Sequence, residues 1–520
     1  MNVTFDPWIP VVTTTGKSEL ASLCAVLSEG EKFADLAVRP HERVSLMRLF
    51  LCVAHAALNG PRNYGEWCDV PKRLPEAVMT YLTEWKDSFE LFHNEKPWLQ
   101  VAGLSKDVAG QDKAGDISDW TPVSKLNFSY ATGNNTTLFD HGGMSENRSI
   151  PLTETILSML TYQCFSPGGL ISQVYWNGAQ SGKSSKDGPC VPASMIHAFL
   201  RGKNLIETIH LNLPTLDDIR FGYGEGMFGK PVWEQFPTSL KDVPNTENAT
   251  ATYVGRLVPI TRFIRLHSAG ERMLLGDGLV YPSFTSGFPQ EPTATVVIRK
   301  KGEKEERALL SCRPAKALWR ELAAVVVKRK AEGVGGPLSL RAIQDGKGFD
   351  LLVAAMARDK ATIVDTAESV FHIPARLHTP EGTVTYEFEV KKSESLASRL
   401  GWAIEEYRKE MDGGWEGRMK GAGPGAWKLK EKLHSIATTH YWTTVEKNLP
   451  LLMTHIEAIG TDAAMPTREA WNKMIFATAC GAYRIACGQE TPRQMRAFAK
   501  GWEKLTGKKQ ESGSETKDND

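Results

Sequence analysis

The sequence predicts an α+β fold, with a large mixed N-terminal domain over residues 1–375 and an antiparallel four-helix bundle over residues 376–507. Three observations carry this. A chain of 520 residues is too long for one hydrophobic core. Its first two thirds alternate short strand-like and helix-like segments between frequent Gly and Pro breaks. Its last third carries apolar residues at helical spacing, as in Trp471, Met474, Ile475, Ala479 and Tyr483.

The chain opens on NVTFDPWIPV, Asn2 to Val11, and returns to a similar signature at HNEKPWLQV, His93 to Val101. In each a Trp sits beside a Pro. Proline fixes φ and biases the preceding residue toward extended backbone, so each segment reads as an edge strand or strand-like arm pinned by an aromatic anchor. Helices are expected over His41–Leu58, Leu74–Phe92, Leu152–Tyr162 and Ala315–Lys330, and a strand over Ile206–Leu213. Ala294–Lys300 and Arg307–Cys312 flank Gly302 and read as a hairpin. The C-terminal helices are expected over Leu396–Met411, Lys428–Ile456, Thr467–Cys487 and Pro492–Leu505, and residues 508–520 as a disordered polar tail.

The bulk numbers exclude several classes. With 62 basic and 61 acidic residues the net charge is +1, so any nucleic-acid contact must come from local patches or be shared with partners. Asp6, Pro7 and Pro10 interrupt the start where a secretion signal needs an apolar run. No apolar stretch approaches the ~18 residues that span a membrane. The eight cysteines form no CxxC pair, which fits a reduced, cytoplasmic protein.

Motifs that suggest catalysis do not hold together. NGAQSGKSS, Asn177 to Ser185, has three residues between Gly178 and Gly182 where a phosphate loop needs four. Gly224, Gly226 and Gly229 spell GxGxxG, but Lys230-Pro231 follows where a helix should begin. There is no HExxH and no GxSxG. The chain therefore reads as a non-enzyme with no cofactor and no metal. An enzyme of unknown class on the N-terminal domain, or a scaffold without a DNA role, are the alternatives.

Four segments carry nucleic-acid chemistry. YATGNNTTLFDHGG, Tyr130 to Gly143, offers the amides of Asn134 and Asn135 and an apolar platform at Phe139, beside Asp140; the same composition suits an Asx-rich turn. CFSPGGLIS, Cys164 to Ser172, contains Gly168 and Gly169, whose bare backbone can approach a minor-groove floor; a plain Pro-Gly turn has the same sequence. Residues 251–350 hold 17 Lys plus Arg against 10 Asp plus Glu, with Arg256, Arg262, Arg265 and Arg272 interleaved with apolar residues, a phosphate-facing patch or a solvated face. MARDKATI, Met356 to Ile363, puts Arg358, Asp359 and Lys360 at a turn after an apolar helix, where a long polar side chain can wedge between base pairs.

In their order, these segments resemble the CasA family, the large subunit of the type I-E CRISPR Cascade complex. The resemblance runs along nearly the whole chain and rests on succession and spacing rather than on one diagnostic motif. It implies recognition of the protospacer-adjacent motif (PAM) in double-stranded DNA, opening of the duplex for pairing with a guide CRISPR RNA, and recruitment of a helicase-nuclease to the R-loop. The implied partners include the backbone, small and RNA-end-binding subunits of the complex. The family's first loop falls on Leu138, Phe139 and Asp140, its Gly loop on Gly168 and Gly169, and its basic finger near Arg272, where the family often has Lys. Its wedge falls on Arg358, Asp359 and Lys360, where the family can carry Gln.

Overall fold

Trp8 and Trp98, the anchors of the two N-terminal signatures, meet in the core with ring centroids 6.1 Å apart. A computed structural model of the chain describes residues 1–107, 117, 119–130, 149–169, 171–184, 186–284, 287, 291–360, 362–411 and 424–507. Backbone bonds from Val3 to Phe89 and from Leu91 to Met1 tie the start of the chain to the segment just before the second signature. The first forms β1 (Ile9–Thr13), which lies between β2 (Ser18–Ala21) and β3 (Phe33–Leu36) and so is a central strand rather than an edge. Pro10 is tolerated there because the β3 ladder begins only at Val11, while the Pro10 carbonyl still accepts from Ala37 at 2.9 Å. The second signature forms no strand. Leu99 takes φ +52°, and the Gln100 side chain instead bonds Leu91 and Leu266.

The chain divides into two compact units, Met1–His372 and Ile373–Asp520. In the first, helices α1 (Leu23–Ser28), α2 (Pro40–Leu58), α3 (Tyr64–Glu84) and α4 (Leu152–Phe165) combine with small antiparallel sheets. One sheet orders β4 (Leu104–Ser105), β6 (Tyr175–Trp176) and β7 (Ala179–Gln180). Another orders β5 (Thr121–Pro122), β10 (Arg272–Asp277) and β9 (Arg262–Leu266). The hairpin of β11 (Val296–Lys301) and β12 (Lys304–Leu309) turns at Gly302, φ +66°, as its sequence predicts. A third sheet orders β14 (Thr362–Ile373), β13 (Phe349–Asp359) and β8 (Ile196–Arg201).

Three expectations change here. The apolar run before Arg358 is strand β13, not a helix; Leu351 to Ala357 are all buried, so the period-2 alternation that marks a strand is missing. Leu205–Leu211 is helix α5, not a strand, because Asn204 caps it by accepting from Glu207 N–H at 2.9 Å. Of Ala315–Lys330 only Leu322–Val325 is α-helical (α9), after a 3₁₀ turn. Helices α6 (Leu216–Tyr223), α7 (Val243–Ala251) and α8 (Tyr253–Leu257) complete the unit.

A buried ion cluster joins these elements. Arg48, from the middle of α2, is fully buried and donates to the Leu257 carbonyl (2.9 Å) and to Glu291 Oε2 (2.7 Å). Arg256 donates to Glu291 Oε1 (2.5 Å) and to the Thr250 carbonyl (2.7 Å). Arg329 donates to the carbonyl of Ala294 (3.0 Å), and His197 on β8 bonds Thr293 Oγ1 (2.8 Å) and the Cys190 carbonyl (3.0 Å).

The second unit is all-helical among its described residues. It has five helices rather than four: α10 (Pro380–Met411), α11 (Pro424–Lys447), α12 (Leu449–Glu457), α13 (Ala464–Ala486) and α14 (Pro492–Thr506). The stretch expected as one helix from Lys428 splits at Asn448, because Pro450 in the first turn of α12 lacks the N–H that would continue it. α10 begins at Pro380, sixteen residues before its expected start, where Thr379 Oγ1 accepts from Gly382 N–H at 3.1 Å. Tyr441 donates to the Ser393 carbonyl (2.9 Å), tying α11 to α10. Tyr483 donates to the Phe498 carbonyl (3.1 Å), tying α13 to α14. The tail, 508–520, lies outside the described residues.

Two predictions follow from the buried charges. Burial alone would raise the Glu291 carboxyl, but Arg48 and Arg256 outweigh it and hold it down at about 2. Glu291→Gln removes the buried carboxylate that Arg48 and Arg256 both pair with and is expected to cost about 3–5 kcal/mol in denaturant unfolding of the full chain. Separately, burial pushes the imidazoles of His41 and His55 down to about 3 and that of His197 to about 4. The unfolded chain takes up these protons near 6.5 and the folded chain does not, so stability falls as pH drops from about 6.5 toward 4. At about pH 5 the loss is on the order of 2 kcal/mol per imidazole. A denaturation midpoint unchanged between neutral pH and about pH 5 would contradict this.

Candidate nucleic-acid interface

Helix α4 is apolar and almost wholly buried, and it stops where Ser166 and Pro167 follow. Proline cannot continue the helical bonding, so the chain leaves α4 as the loop Ser166–Gly169. A second segment, 183–190, runs against it. Gly188 N–H donates to the Ser166 carbonyl (2.8 Å) and Cys190 N–H to the Cys164 carbonyl (3.1 Å). Gly188 must be glycine at this approach, since a Cβ there would stand 2.5 Å from the Cys164 carbonyl oxygen.

Both loops are held from below by one buried ion pair. Arg262 and Asp277, each 2 % exposed, face each other at 3.0 Å across adjoining ends of β9 and β10. Arg262 Nη2 donates to the carbonyls of Pro167 (3.0 Å) and Lys186 (3.1 Å). Asp277 Oδ2 accepts from Ser184 N–H (3.0 Å), and the Gln163 side chain bonds the Arg262 backbone on both sides (2.8 and 2.9 Å). These anchors grip the loops by their backbones. Lys183 and Lys186 are exposed, as is Gly169.

The tip of the β13–β14 hairpin joins them. Asp187 Oδ1 accepts from Gly168 N–H at 2.7 Å, and Asp187 Oδ2 pairs with the Arg358 guanidinium. Arg358 N–H donates to Ser194 Oγ (3.1 Å), and Arg358 Nη1 to the Lys360 carbonyl (2.9 Å). Asp359 and Lys360 are exposed. Lys360 takes φ +53°, and Ala193 and Ser194 beside it take +56° and +50°. Among the described residues, three of the six non-glycine residues with positive φ therefore cluster here, the kind of stored strain that marks functional sites.

Gly168, Gly169, Arg358, Asp359 and Lys360 thus come together around Asp187. Arg272 does not join them. It stands at the start of β10, about 17 Å along the strand from Asp277, with Nη1 donating to the Trp120 carbonyl at 2.8 Å. The expected patch of interleaved arginines is corrected: Arg256 and Arg262 are buried in ion pairs and cannot face phosphate, and Arg265 donates to the Leu104 carbonyl (2.5 Å) over the Trp120 ring. The hairpin cations Lys300 and Lys304 are exposed. Asn134, Asn135, Leu138, Phe139 and Asp140 lie outside the described residues.

Lys183, Lys186, Asp187 and the Arg262–Asp277 anchor were missed from sequence. NGAQSGKSS reads by composition as a phosphate loop, which hides this role. Its Asn177-Gly178, with φ +48° and +78°, turns the β6–β7 hairpin, which delivers the lysines to the Gly loop. The GxGxxG glycines follow α6 rather than precede a helix, with Gly224 at its C-cap. Among the described residues no group of three or more His, Cys, Asp and Glu is placed to hold a metal ion. No described helix is long and apolar enough to cross a membrane.

Comparison with known proteins agrees along the chain. The model of the family described as CRISPR-associated protein Cse1 matches residues 2–482. The CRISPR-associated protein CasA/Cse1 of Thermus thermophilus is 28% identical over 477 residues, covering 88% of this chain and 87% of that protein. The crystal structure of Thermus thermophilus CasA superposes with a TM-score of 0.72 at 22% identity, over 97% of this chain and 98% of that one. One chain of a CRISPR RNA-guided surveillance complex superposes with a TM-score of 0.69 at 18% identity, over 97% and 99%. At these identities the two structures establish a shared fold.

The loop geometry is testable without any ligand. Gly188→Ala is expected to cost about 1–3 kcal/mol, because its methyl meets backbone that cannot yield. Gly182→Ala, whose methyl meets open space, is expected to stay within about 0.5 kcal/mol of the parent chain in thermal unfolding.

Proposed function

The chain belongs to the CRISPR-associated Cse1 family, and we propose that it is the large, non-catalytic subunit of an RNA-guided type I-E Cascade complex that reads the PAM in double-stranded DNA. The observation that carries this is the platform around Asp187. A bare glycine backbone and a strained hairpin tip meet at Asp187, and the segments joined there carry the exposed cations Lys183, Lys186 and Lys360.

Each part suits one step. Gly168 and Gly169 present backbone without side chains, which fits the narrow minor groove. The lysines contribute phosphate contacts that position the duplex without reading its sequence. Lys360, held at φ +53° on a rigid two-strand hairpin, is the wedge. Unstacking one base step costs a few kcal/mol, which the wedge and the surrounding phosphate contacts offset so that guide pairing can begin. Sequence specificity then comes from base pairing with the guide CRISPR RNA, a division of labour general to RNA-guided effectors. Arg272 serves as a basic finger at a second contact on the duplex. The segment with Asn134, Asn135, Leu138, Phe139 and Asp140 meets the guide-RNA end, and the helical unit clamps the opened strands beside the small subunits. The complex acts in the cytoplasm, and its completed R-loop recruits the helicase-nuclease that cuts.

The test is duplex binding by a reconstituted guide-RNA complex with and without this chain, over a library of bases flanking the target. The chain is expected to confer tight binding that depends on those bases. Unchanged binding in its absence overturns the proposal. Lys183→Ala and Lys186→Ala are expected to weaken binding about equally for all flanking bases, and each to reduce the salt slope by about one.

A further inference from the structure

We propose that Asp187 is an internal stand-in for a DNA phosphate, and that its displacement on binding sharpens discrimination between flanking sequences. This rests on the DNA-reading function proposed above and adds a residue and a regulation to it. The Asp187 carboxylate takes the Gly168 N–H at 2.7 Å through one oxygen and the Arg358 guanidinium through the other. A backbone N–H beside a guanidinium N–H is a donor set that a phosphodiester oxygen pair can accept from. The same two donors therefore serve either an internal carboxylate or an incoming phosphate, each carrying one negative charge.

The two ion pairs at this site differ in what they can do. Arg262 and Asp277 are each 2 % exposed and hold the loops permanently. Arg358 and Asp187 are 16 % and 26 % exposed, close enough to solvent for an exchange of partners. Partly exposed pairs contribute little to stability, so replacing one anion by another costs little. Segment 183–187 and the hairpin tip 358–360 carry the cations Lys183, Lys186, Arg358 and Lys360 and the carboxylates Asp187 and Asp359. Attraction gathers any duplex to this face, and Asp187 repels a phosphate that arrives without displacing it. Only a duplex whose groove accepts the Gly168–Gly169 backbone brings a phosphate far enough to take the Gly168 N–H and Arg358, releasing Asp187 to solvent.

The test uses the reconstituted complex carrying Asp187→Asn, which removes the charge but keeps an acceptor for Gly168 N–H. Binding to duplexes with disfavoured flanking bases is expected to tighten about fivefold, the Boltzmann factor of one like-charge contact near 4 Å in water. Binding to the favoured duplex should change less, so the discrimination ratio falls. The salt slope on disfavoured duplexes should steepen by about one. Equal weakening on both duplexes, or no change on either, overturns the gate. Asp187→Ala separates charge from positioning: it should also lose affinity for the favoured duplex if the Gly168 bond shapes the loop. Absence of any flanking-base dependence in the parent complex would instead sink the underlying DNA-reading function.

Discussion

The Glu291 carboxylate, clamped between Arg48 and Arg256, is the constraint on which the N-terminal unit depends. Burying three charges is costly, and burial by itself pushes a carboxyl toward its neutral form. Here two guanidiniums reverse that push, and backbone carbonyls of Leu257 and Thr250 take further donors. Because Arg48 lies on α2, Arg256 and Leu257 on α8, and Glu291 on a third segment, the cluster fixes α2, α8 and the chain around 291–295 together. From there the path to the surface is short: Thr293 bonds His197 on β8, β8 pairs with β13, and β13 carries Arg358 one residue before its end. The hairpin tip is thus stationed by a charge cluster in the core.

Much of this was legible in sequence where a signal is local. The hairpin at Gly302, the apolar helices α2 and α4, and the aromatic anchors at Trp8 and Trp98 all declare themselves by residue type and spacing. Gly168, Gly169 and the segment around Arg358 stand out in the sequence, and the structure brings Gly168 and Arg358 together on Asp187. What failed was context. β13 has alanines and methionine in a run buried throughout, so neither period nor composition separates strand from helix. Residues 205–211 look strand-like until Asn204 is seen as a cap.

Charge counting failed for a different reason. The basic surplus in residues 251–350 is real, yet Arg256 and Arg262 spend their charge inside the protein. A linear count cannot tell a cation that holds a fold from one that meets solvent. The reverse error hides Lys183 and Lys186, whose segment has the composition of a phosphate loop without its spacing. Asp187 had no signal at all, since its partners are 19 and 171 positions away in the chain.

The grip of Arg262 on the Pro167 and Lys186 carbonyls has an evolutionary consequence. It holds main chain, which is the same whatever the side chain, so loop shape does not depend on most of the residues the loops display. Substitutions at exposed positions such as Lys183 and Lys186 can accumulate without loosening the scaffold. Under the proposed DNA-reading function, invading sequences that change the bases next to a target would face a surface that can be retuned one residue at a time. The buried pair makes the displayed face a replaceable part.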